Sequence, residues 1–352
     1  MKASLLLLAA SLCLTLSCAE LALRWSGYHG APESSIRNIY PVADPILDWR
    51  YVPNSEVRAG RVVYRYNAAG YRDENHSIQK APGIKRIVVV GDSISEGYGV
   101  EWPHVFAHAL QARLGATWEV INLAAGGLNS PQEVHLFEQD GRRYGPDLVV
   151  LNFVLNDADF ETKFQGAERY LREKDSRIGF VNLPINPWLK QRLKSSALIY
   201  FTKERLERVK GRLFGTEEEP DHFSRIWARE ENRDKVRVAF RQLATMRAEG
   251  RFDVLVMIWP VLTDFEHYRF ESIHGWVARE AAERGFAVVD LLGAFSKFRY
   301  RDLQVTTEDN VHPNAQGHML AVDTFVDWHR RRGPVASSTG ATSSIEQPGV
   351  DR

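Results

Sequence analysis

The chain has 352 residues, of which 44% are hydrophobic and 26% are charged, enough to fill the core of one large domain or two ordinary ones. This composition excludes a disordered, fibrous or disulfide-stapled protein. Its 45 basic and 45 acidic residues give a formal net charge of zero, so we expect no nucleic-acid partner. Both cysteines, Cys13 and Cys18, lie near the amino terminus, which excludes cysteine chemistry from the body of the chain.

Residues 1–24 are typical of a signal peptide or a membrane anchor. Lys2 precedes a mostly apolar stretch, Leu5–Leu16, and small side chains follow it. Three outcomes stay open: cleavage before Glu20 with secretion, acylation of Cys18 in a weak lipobox, or retention of the uncharged segment Ala3–Ala19 as a short membrane-spanning helix. Each outcome places the rest of the chain outside the cytoplasm, in the periplasm or at the cell surface. The last two attach it to the membrane by a lipid or an anchor.

Residues 25–84 are predicted to form an N-terminal extension of loops and a hairpin. They are rich in Pro, Gly, Asn, Tyr and Arg, and Arg61–Tyr66 has the alternating pattern of a strand. A turn is expected directly afterwards, at Asn67–Gly70, because small and turn-forming residues follow that strand. We therefore expect a lead-in that precedes the main domain.

From Lys85 to Arg332, apolar runs of strand length alternate with helical stretches. This alternation predicts one doubly wound α/β domain, in which a five-stranded parallel sheet is covered by helices on both faces. The predicted strands are Arg86–Val90, Trp118–Leu123, Asp147–Leu155, Phe252–Trp259 and Phe286–Leu291. The predicted helices are Val105–Leu114, Pro131–Arg143, Lys235–Glu249, Phe270–Arg284 and Ala315–Arg330.

The connection after the third strand is far longer than an ordinary crossover, so residues 158–232 are predicted to contain a helical insert. Its stretch from Leu198 to Leu213 combines apolar residues with Lys and Arg, which fits either a membrane-surface helix or a helix packed on the main domain. After Arg332 the composition collapses to Ser, Thr, Gly, Pro and Ala, which predicts a disordered tail at 333–352.

Four short motifs are expected at the carboxyl ends of the strands, where function collects in parallel sheets. The first, Gly91–Glu96, puts the Ser93 hydroxyl at a tight turn between a strand and a helix, where it can act as a nucleophile. The same residues also fit a capping box, in which Ser93 caps the helix and Glu96 completes the box.

Two further motifs offer hydrogen-bond donors. Gly126–Gly127 follows the second strand, and glycine there lets a backbone N–H approach a substrate oxygen, although an ordinary turn has the same pattern. Asn156 follows the third strand, where its carboxamide can stabilise an oxyanion or simply end the strand in a turn.

The last motif, Asp309–Asn314, precedes the final helix. A histidine that acts as a base needs one ring nitrogen held by a carboxylate, and the offset between Asp309 and His312 permits that contact. A turn that begins at Asp309 and leaves His312 exposed is the alternative. Because all four motifs fall at the same predicted sheet edge, one shared active site is favoured over four coincidences.

The order Gly91-Asp92-Ser93, Gly127, Asn156-Asp157 and Asp309-x-x-His312 resembles the SGNH or GDSL hydrolase superfamily of serine esterases and lipases. The resemblance covers about Lys85 to Arg332, and it implies a three-layer α/β/α hydrolase domain of flavodoxin-like topology. It implies that Ser93 is the nucleophile, His312 the base and Asp309 its orienting carboxylate. It also implies an oxyanion hole made by the N–H groups of Ser93 and Gly127 and the side chain of Asn156.

The lead-in segment Asn67–Asp73 is similar to the segment before the first motif in membrane-anchored bacterial members of this superfamily. Two positions depart from the superfamily pattern. Ile94 replaces the usual leucine after the serine, which is a conservative change. Val154 stands where a glycine is usual, two residues before the asparagine, so its branched side chain could narrow the acyl pocket or shift Asn156.

The resemblance and the export signal predict a serine esterase of the cell envelope that removes short acyl groups, such as acetyl, from a small-molecule or glycan ester. An O-acyltransferase on the same scaffold is the alternative enzyme, and a non-catalytic envelope binding or assembly protein is the alternative from another class. No cofactor or metal is expected. The pair His104 and His108 lacks the glutamate of a zinc-binding helix, and Gly97-x-Gly99 lacks the third glycine of a dinucleotide site.

Overall fold

The computed structural model describes residues 2–28, 38–47, 49–160, 193, 195–214, 221–306 and 309–332. The predicted tail at 333–352 and much of the predicted insert lie outside these residues. The described strands are β1 (Ile39–Pro41), β2 (Trp49–Tyr51), β3 (Glu56–Ala59), β4 (Val62–Arg65), β5 (Lys85–Gly91), β6 (Trp118–Ala124), β7 (Leu148–Phe153), β8 (Asp253–Ile258) and β9 (Ala287–Asp290). The described helices are α1 (Lys2–Trp25), α2 (Ser93–Glu96), α3 (Phe106–Leu114), α4 (Ser130–Leu136), α5 (Ala197–Phe214), α6 (Asp221–Ala228), α7 (Glu230–Gly250), α8 (Glu271–Ala282), α9 (Leu292–Phe295), α10 (Tyr300–Leu303) and α11 (Ala315–Arg332).

Strands β5 to β9 form one parallel sheet in the order β6-β5-β7-β8-β9. This is the strand order of flavodoxin-like doubly wound sheets, and it confirms the predicted α/β fold. The direction in which successive strands are added reverses at β5. Such a reversal opens a crevice beyond the carboxyl ends of β5 and β7.

Alternate residues of the strands fill two separate cores. In β5, Val88 and Val90 belong to a core shared with α4, α7 and α8, whereas Ile87 and Val89 belong to a core shared with α3 and α11. Because helices cover both faces of the sheet, its strands are continuous apolar runs. The molecule therefore has the three predicted layers of helices, sheet and helices.

The helix predicted over Pro131–Arg143 is only partly α-helical. After α4 the chain continues as a wider π-type turn, Phe137–Gly141, and then as a tighter 3-10 turn, Arg142–Tyr144. A Cβ atom at Gly141 would lie 2.3 Å from the ring of Phe137, so the glycine lets the two turns pack closely. Apolar spacing predicts the buried face of this segment but does not distinguish between these kinds of turn.

The lead-in contains two antiparallel strand pairs, β1 with β2 and β3 with β4. The predicted turn follows β4 and is closed by a hydrogen bond of 3.0 Å from the Gly70 N–H to the carbonyl oxygen of Asn67. Gly70 has a φ of +81°, and a Cβ atom there would lie 2.6 Å from the carbonyl oxygen of Tyr51. Both facts require glycine, because any other residue would be strained and would collide with β2.

The first helix is long and apolar enough over Ser4–Trp25 to cross a membrane. Near its end, Glu20 accepts hydrogen bonds from the backbone N–H groups of Ala197 and Leu198 at 3.0 and 2.8 Å, and it pairs with Arg24 at 2.7 Å. Burial opposes the charge, but these hydrogen bonds lower the pKa of the Glu20 carboxyl to about 2. Glu20 therefore caps the amino terminus of α5 and connects α1 to this helix.

The carboxyl end of the predicted insert contributes to the main core. Phe223, Ile226 and Trp227 of α6 are buried in the core that also holds α7, and the Trp227 indole N–H donates to the carbonyl oxygen of Leu155 at 2.8 Å. In α5, by contrast, Leu206 is exposed. Both interpretations of the stretch from Leu198 to Leu213, a helix packed on the main domain and a membrane-surface helix, stay predictions.

Candidate active site

The four motifs lie at one edge of the sheet. Ser93 follows β5, Gly127 follows β6 and Asn156 follows β7, each beyond the carboxyl end of its strand. Asp309 and His312 lie in the loop that precedes α11. Ser93 and Asn156 therefore flank the crevice at which the strand order reverses, the usual position of a ligand site in a sheet of this kind.

Ser93 is the first residue of α2, and its neighbour Asp92 caps this helix. Asp92 Oδ1 accepts a hydrogen bond from the Ile94 N–H at 2.9 Å. The alternative capping box is not formed, because the cap is Asp92 and the carboxylate of Glu96 accepts hydrogen bonds from tyrosine hydroxyls instead. The Ser93 hydroxyl is thus not used as a helix cap.

The Ser93 hydroxyl contacts the imidazole of His312. The distance from Ser93 Oγ to His312 Nε2 is 2.8 Å, and His312 Nδ1 lies 2.9 and 2.8 Å from the two carboxylate oxygens of Asp309. An ionised carboxylate only accepts hydrogen bonds, so the proton of the neutral ring belongs on Nδ1. Nε2 is then free to accept the proton of the Ser93 hydroxyl.

The electrostatics of Asp309 favour this arrangement. Burial opposes ionisation of its carboxyl, but hydrogen bonds from the His312 side chain and from the backbone N–H groups of His312 and Val311 outweigh burial and hold the pKa of Asp309 below its usual range. A carboxylate beside Nδ1 fixes the ring tautomer and stabilises the imidazolium that forms when Nε2 takes up a proton.

Two neighbouring loops hold the histidine in place. Leu262 N–H donates to the carbonyl oxygen of Asn310 at 2.7 Å, and Val305 N–H donates to the carbonyl oxygen of His312 at 3.0 Å. The ring of Tyr98, which is 49% exposed, lies 4.5 Å from the His312 ring between centroids. The backbone and one face of the histidine are therefore supported by residues distant in the chain.

Ser93 and Gly127 offer backbone N–H groups beside the nucleophile. Ser93 begins α2, so its N–H has no acceptor within the helix. Neither N–H donates a hydrogen bond to any residue in the described ranges. Gly127 has a φ of +80°, a conformation that favours glycine. Both groups are thus available to an oxygen atom of a substrate.

The carboxamide of Asn156 is held next to Ser93 by Asp92. Asn156 Nδ2 donates to Asp92 Oδ2 at 3.2 Å, and the same oxygen lies 3.3 Å from Ser93 Oγ. Val154, the departure from the superfamily glycine, is 1% exposed and belongs to the core shared with α3 and α11. Its branched side chain is therefore accommodated in that core.

Side chains of the lead-in reach the candidate site, although none of the four motifs includes them. Arg72, which is 1% exposed, donates to the carbonyl oxygens of Glu96 and Gly97 at 3.0 and 2.6 Å, where α2 ends. Asp73 accepts a hydrogen bond from the Asn122 N–H of β6 at 2.7 Å. The similarity of this segment to membrane-anchored members is the signal in the sequence that could have pointed to these contacts.

Among the described residues, no group of three or more His, Cys, Asp or Glu side chains could hold a metal ion. His108 instead packs on the ring of Trp102 with centroids 4.7 Å apart, and His104 is exposed. The groups that meet at the sheet edge are a hydroxyl, an imidazole, a carboxylate and a carboxamide. These groups are suited to nucleophilic attack on an acyl carbon.

Solved structures of esterases and lipases are similar to the chain at low sequence identity. A GDSL-like lipase from Bacteroides thetaiotaomicron is 16% identical, with a TM-score of 0.40 and coverage of 72% of this chain and 92% of its own. A mutant of an acetyl-xylooligosaccharide esterase from Geobacillus is 16% identical, with a TM-score of 0.41 and coverage of 71% and 95%. A lipase/acylhydrolase from Enterococcus faecalis is 17% identical, with a TM-score of 0.40 and coverage of 71% and 97%. No curated protein matches the sequence.

A family model also matches the sequence itself. The model of the GDSL-like lipase/acylhydrolase family matches residues 89–320, which is well over half of the chain. The matched range begins within β5, just before Ser93, and ends within α11, just after His312. The chain belongs to the GDSL-like lipase/acylhydrolase family and is an ester hydrolase.

Proposed function

We propose that Ser93, His312 and Asp309 act as a catalytic triad. The observation that carries this proposal is the hydrogen-bonded chain from Ser93 Oγ to His312 Nε2 at 2.8 Å and from His312 Nδ1 to the Asp309 carboxylate at 2.8 and 2.9 Å. We further propose that the N–H groups of Ser93 and Gly127 and the carboxamide of Asn156 form the oxyanion hole.

In the first half of the reaction, Ser93 Oγ attacks the carbonyl carbon of the ester and its proton passes to His312 Nε2. The carbonyl oxygen becomes an oxyanion and accepts hydrogen bonds from the proposed oxyanion hole. When the tetrahedral intermediate collapses, the bond to the alcohol oxygen breaks and the imidazolium of His312 protonates that oxygen. The acyl group is left on Ser93 as an ester.

In the second half, water attacks the acyl-enzyme while His312 takes up one of its protons, and collapse of the second intermediate returns that proton to Ser93 Oγ. The products are the carboxylic acid and the free enzyme. A sugar hydroxyl in place of water would give acyl transfer, so the two activities differ only in the acceptor.

The proposed substrate is a short-chain ester, such as an acetyl group, on a carbohydrate or envelope glycan. The proposed location is outside the cytoplasm and attached to the membrane. Support for the location comes from α1, which is long and apolar enough to cross a membrane. Polysaccharides that carry acyl groups are accessible to an enzyme in that location.

The triad is tested with an aryl acetate and the variant Ser93→Ala. We expect the hydrolysis rate to fall by more than about 10³-fold, because the attacking atom is lost. Ser77→Ala is the matched control, since Ser77 is an exposed serine of the lead-in, and it should keep the wild-type rate. A Ser93→Ala rate within about tenfold of the wild type would remove Ser93 from the mechanism.

The substrate is tested by acetate release from a panel of acetylated glycans, with and without added sugar acceptors. Free acetate from a glycan supports the proposed hydrolase, whereas acetylated acceptor without free acetate identifies a transferase instead. The mechanism needs no metal ion, so a strong chelator should leave the rate unchanged. Inactivation by the chelator that a divalent ion reverses would contradict the triad mechanism.

A further inference from the structure

Two tyrosines of the lead-in bind the carboxylate of Glu96 at the end of α2. The Tyr51 hydroxyl donates to Glu96 Oε2 at 3.0 Å, and the Tyr66 hydroxyl donates to Oε1 at 2.7 Å. The two rings are stacked with centroids 4.4 Å apart. Glu96 is buried, and the two hydroxyls together satisfy both of its oxygens. The lead-in therefore fixes the helix that carries Ser93.

Tyr51 also contacts the loop that follows β6. Its hydroxyl oxygen accepts a hydrogen bond from the Gly126 N–H at 3.3 Å. A Cβ atom at Gly126 would lie 2.8 Å from Glu96 Oε2 and 3.2 Å from the Tyr51 hydroxyl oxygen. The backbone of the loop thus packs directly on the Glu96–Tyr51 pair, and glycine is needed for this approach.

The next residue in the loop, Gly127, carries one of the proposed oxyanion donors. We propose that Tyr51 and Glu96 are positioning residues, which set the distance between Ser93 and the Gly127 N–H. Glu96 lies one helical turn after Ser93 in α2, and Tyr51 connects its carboxylate to the residue before Gly127. This inference rests on the proposed triad and oxyanion hole.

The physical reason is that an oxyanion donor stabilises the transition state only where it is held in advance. The loop at Gly126–Gly127 has no side chains that could anchor it. The neighbours Ala125 and Leu128 are buried, but at the glycines themselves the position depends on backbone contacts, and Tyr51 makes a hydrogen bond to the Gly126 N–H. Tyr51 of the lead-in then has a positioning role at the oxyanion hole and does not merely cover the sheet.

Tyr66 provides a matched comparison. It is a buried tyrosine that donates to the same carboxylate, but within the described part of the chain its hydroxyl makes no hydrogen bond to Gly126. Tyr51→Phe and Tyr66→Phe each remove one hydroxyl and one hydrogen bond to Glu96. A purely structural role predicts similar effects for both variants, whereas a positioning role predicts an effect on catalysis for Tyr51→Phe alone.

The experiment measures kcat and KM with an aryl acetate, inhibition by benzeneboronic acid and thermal unfolding for both variants. Boronic acids add to a catalytic serine and imitate the tetrahedral intermediate. For Tyr51→Phe we expect kcat to fall by about tenfold, less than for loss of an oxyanion donor itself, with KM unchanged within about twofold. Its inhibition constant for the boronic acid should rise by a similar factor. For Tyr66→Phe, kcat and the inhibition constant for the boronic acid should both stay within about twofold of the wild type.

Gly126→Ala is a second test, because its methyl group would push the loop away from Glu96. It should lower kcat and weaken boronic acid binding in the same way as Tyr51→Phe. Equal losses of kcat in Tyr51→Phe and Tyr66→Phe, a change in KM alone, or a wild-type kcat in Gly126→Ala would each overturn the positioning role. If Ser93→Ala kept its activity, the proposed triad itself would be wrong. That result can be told apart from the other three, which test only the positioning role.

Discussion

Arg72 donates a hydrogen bond of 2.6 Å to the carbonyl oxygen of Gly97, which ends the helix that begins at Ser93. The same guanidinium donates to the carbonyl oxygens of Glu96 at 3.0 Å and Val100 at 2.8 Å. Burial lowers the pKa of this guanidinium, but arginine remains charged at neutral pH. One buried cation of the lead-in therefore satisfies several carbonyl oxygens around the candidate nucleophile.

Replacing this arginine is expected to destabilise the whole domain. Arg72→Lys keeps the charge but cannot reach several acceptors with one planar group, so we expect the free energy of unfolding in urea to fall by about 3 kcal/mol. Arg65→Lys is the control, because Arg65 is exposed and pairs with Glu56 at the surface, and we expect a change of less than about 0.5 kcal/mol. Equal effects of the two substitutions would show that the hydrogen bonds of Arg72 do not stabilise α2.

The sheet was predictable from the sequence because its strands are buried on both faces and read as continuous apolar runs. Their ends were less predictable. The third strand was expected to end at Leu155, but β7 ends at Phe153, because Val154 and Leu155 leave the sheet and remain buried. Helix α7 begins at Glu230 rather than Lys235, since the charged first turns that extend it carry no apolar signal.

The candidate site was predictable to the extent that its chemistry depends on residue type and position at strand ends. Ser93, His312 and Asp309 lie in hydrogen-bonding distance, while their catalytic roles stay predictions. The contacts of Tyr51 and Arg72 could not be predicted in this way. They join segments far apart in the chain, and neither a tyrosine at the end of a short strand nor an arginine in a loop has a local pattern that indicates its partner.

The stability of the protein should depend on pH through His76. Burial disfavours the charged ring, but Asp73 at 3.0 Å and Glu119 at 2.8 Å raise the pKa of His76 to about 9 from its ordinary value of 6.5. The folded state therefore binds the proton more tightly than the unfolded state. This stabilisation is fully present below pH 6.5 and is lost as the pH rises through about 9.

The size of this effect is on the order of 3 kcal/mol, because the ring is almost buried and each pKa unit corresponds to about 1.4 kcal/mol. Urea unfolding at a series of pH values from about 6 to 10 measures it. His76→Gln should remove this part of the decrease in the free energy of unfolding as the pH rises. If the wild type and the variant lose stability in parallel over that range, His76 is not the titrating group.

The activity should fall when the solution is acidified, because His312 must be neutral to accept the proton of Ser93. Asp309 is held ionised by its hydrogen bonds, since its pKa lies below its usual range. One protonation should therefore govern the loss, and log kcat/KM should approach a slope of about one against pH. A flat profile, or a slope of about two above pH 4, would contradict the assigned roles of the two residues.

The carboxamide of Asn156 should act on the transition state rather than on substrate binding. Asn156→Ala is expected to lower kcat by about 10²–10³-fold with little change in KM, as for the loss of one oxyanion donor. Asn156→Asp tests the charge separately, because a carboxylate of similar shape beside the oxyanion should lower kcat at least as much. A rise in KM at constant kcat for the alanine variant would make Asn156 a residue of substrate binding instead.

The attachment of the protein to the membrane is tested through the end of α1. This helix continues without a break through Ala19 to Trp25, which is 94% exposed, and Glu20 and Arg24 lie in its last turns. We expect the apolar segment to be retained as an anchor, because it is long and apolar enough to cross a membrane and Glu20 and Arg24 mark a polar exit. The protein should then stay in the membrane fraction after washes with high salt and carbonate, because these treatments remove electrostatic contacts but not a buried apolar helix.

A lipoprotein would pass the same washes, so Cys18→Ser separates the two forms of attachment. An anchored protein should keep its mass and location in this variant, whereas a lipoprotein would lose its acyl chains and accumulate unprocessed. Glu20→Ala is a further test, because it removes the cap of α5 and leaves the apolar segment intact. This variant should lower thermal stability without releasing the protein from the membrane. A mature amino terminus at Glu20 on a soluble protein would rule out both anchor and lipid, since neither the apolar segment nor Cys18 would remain.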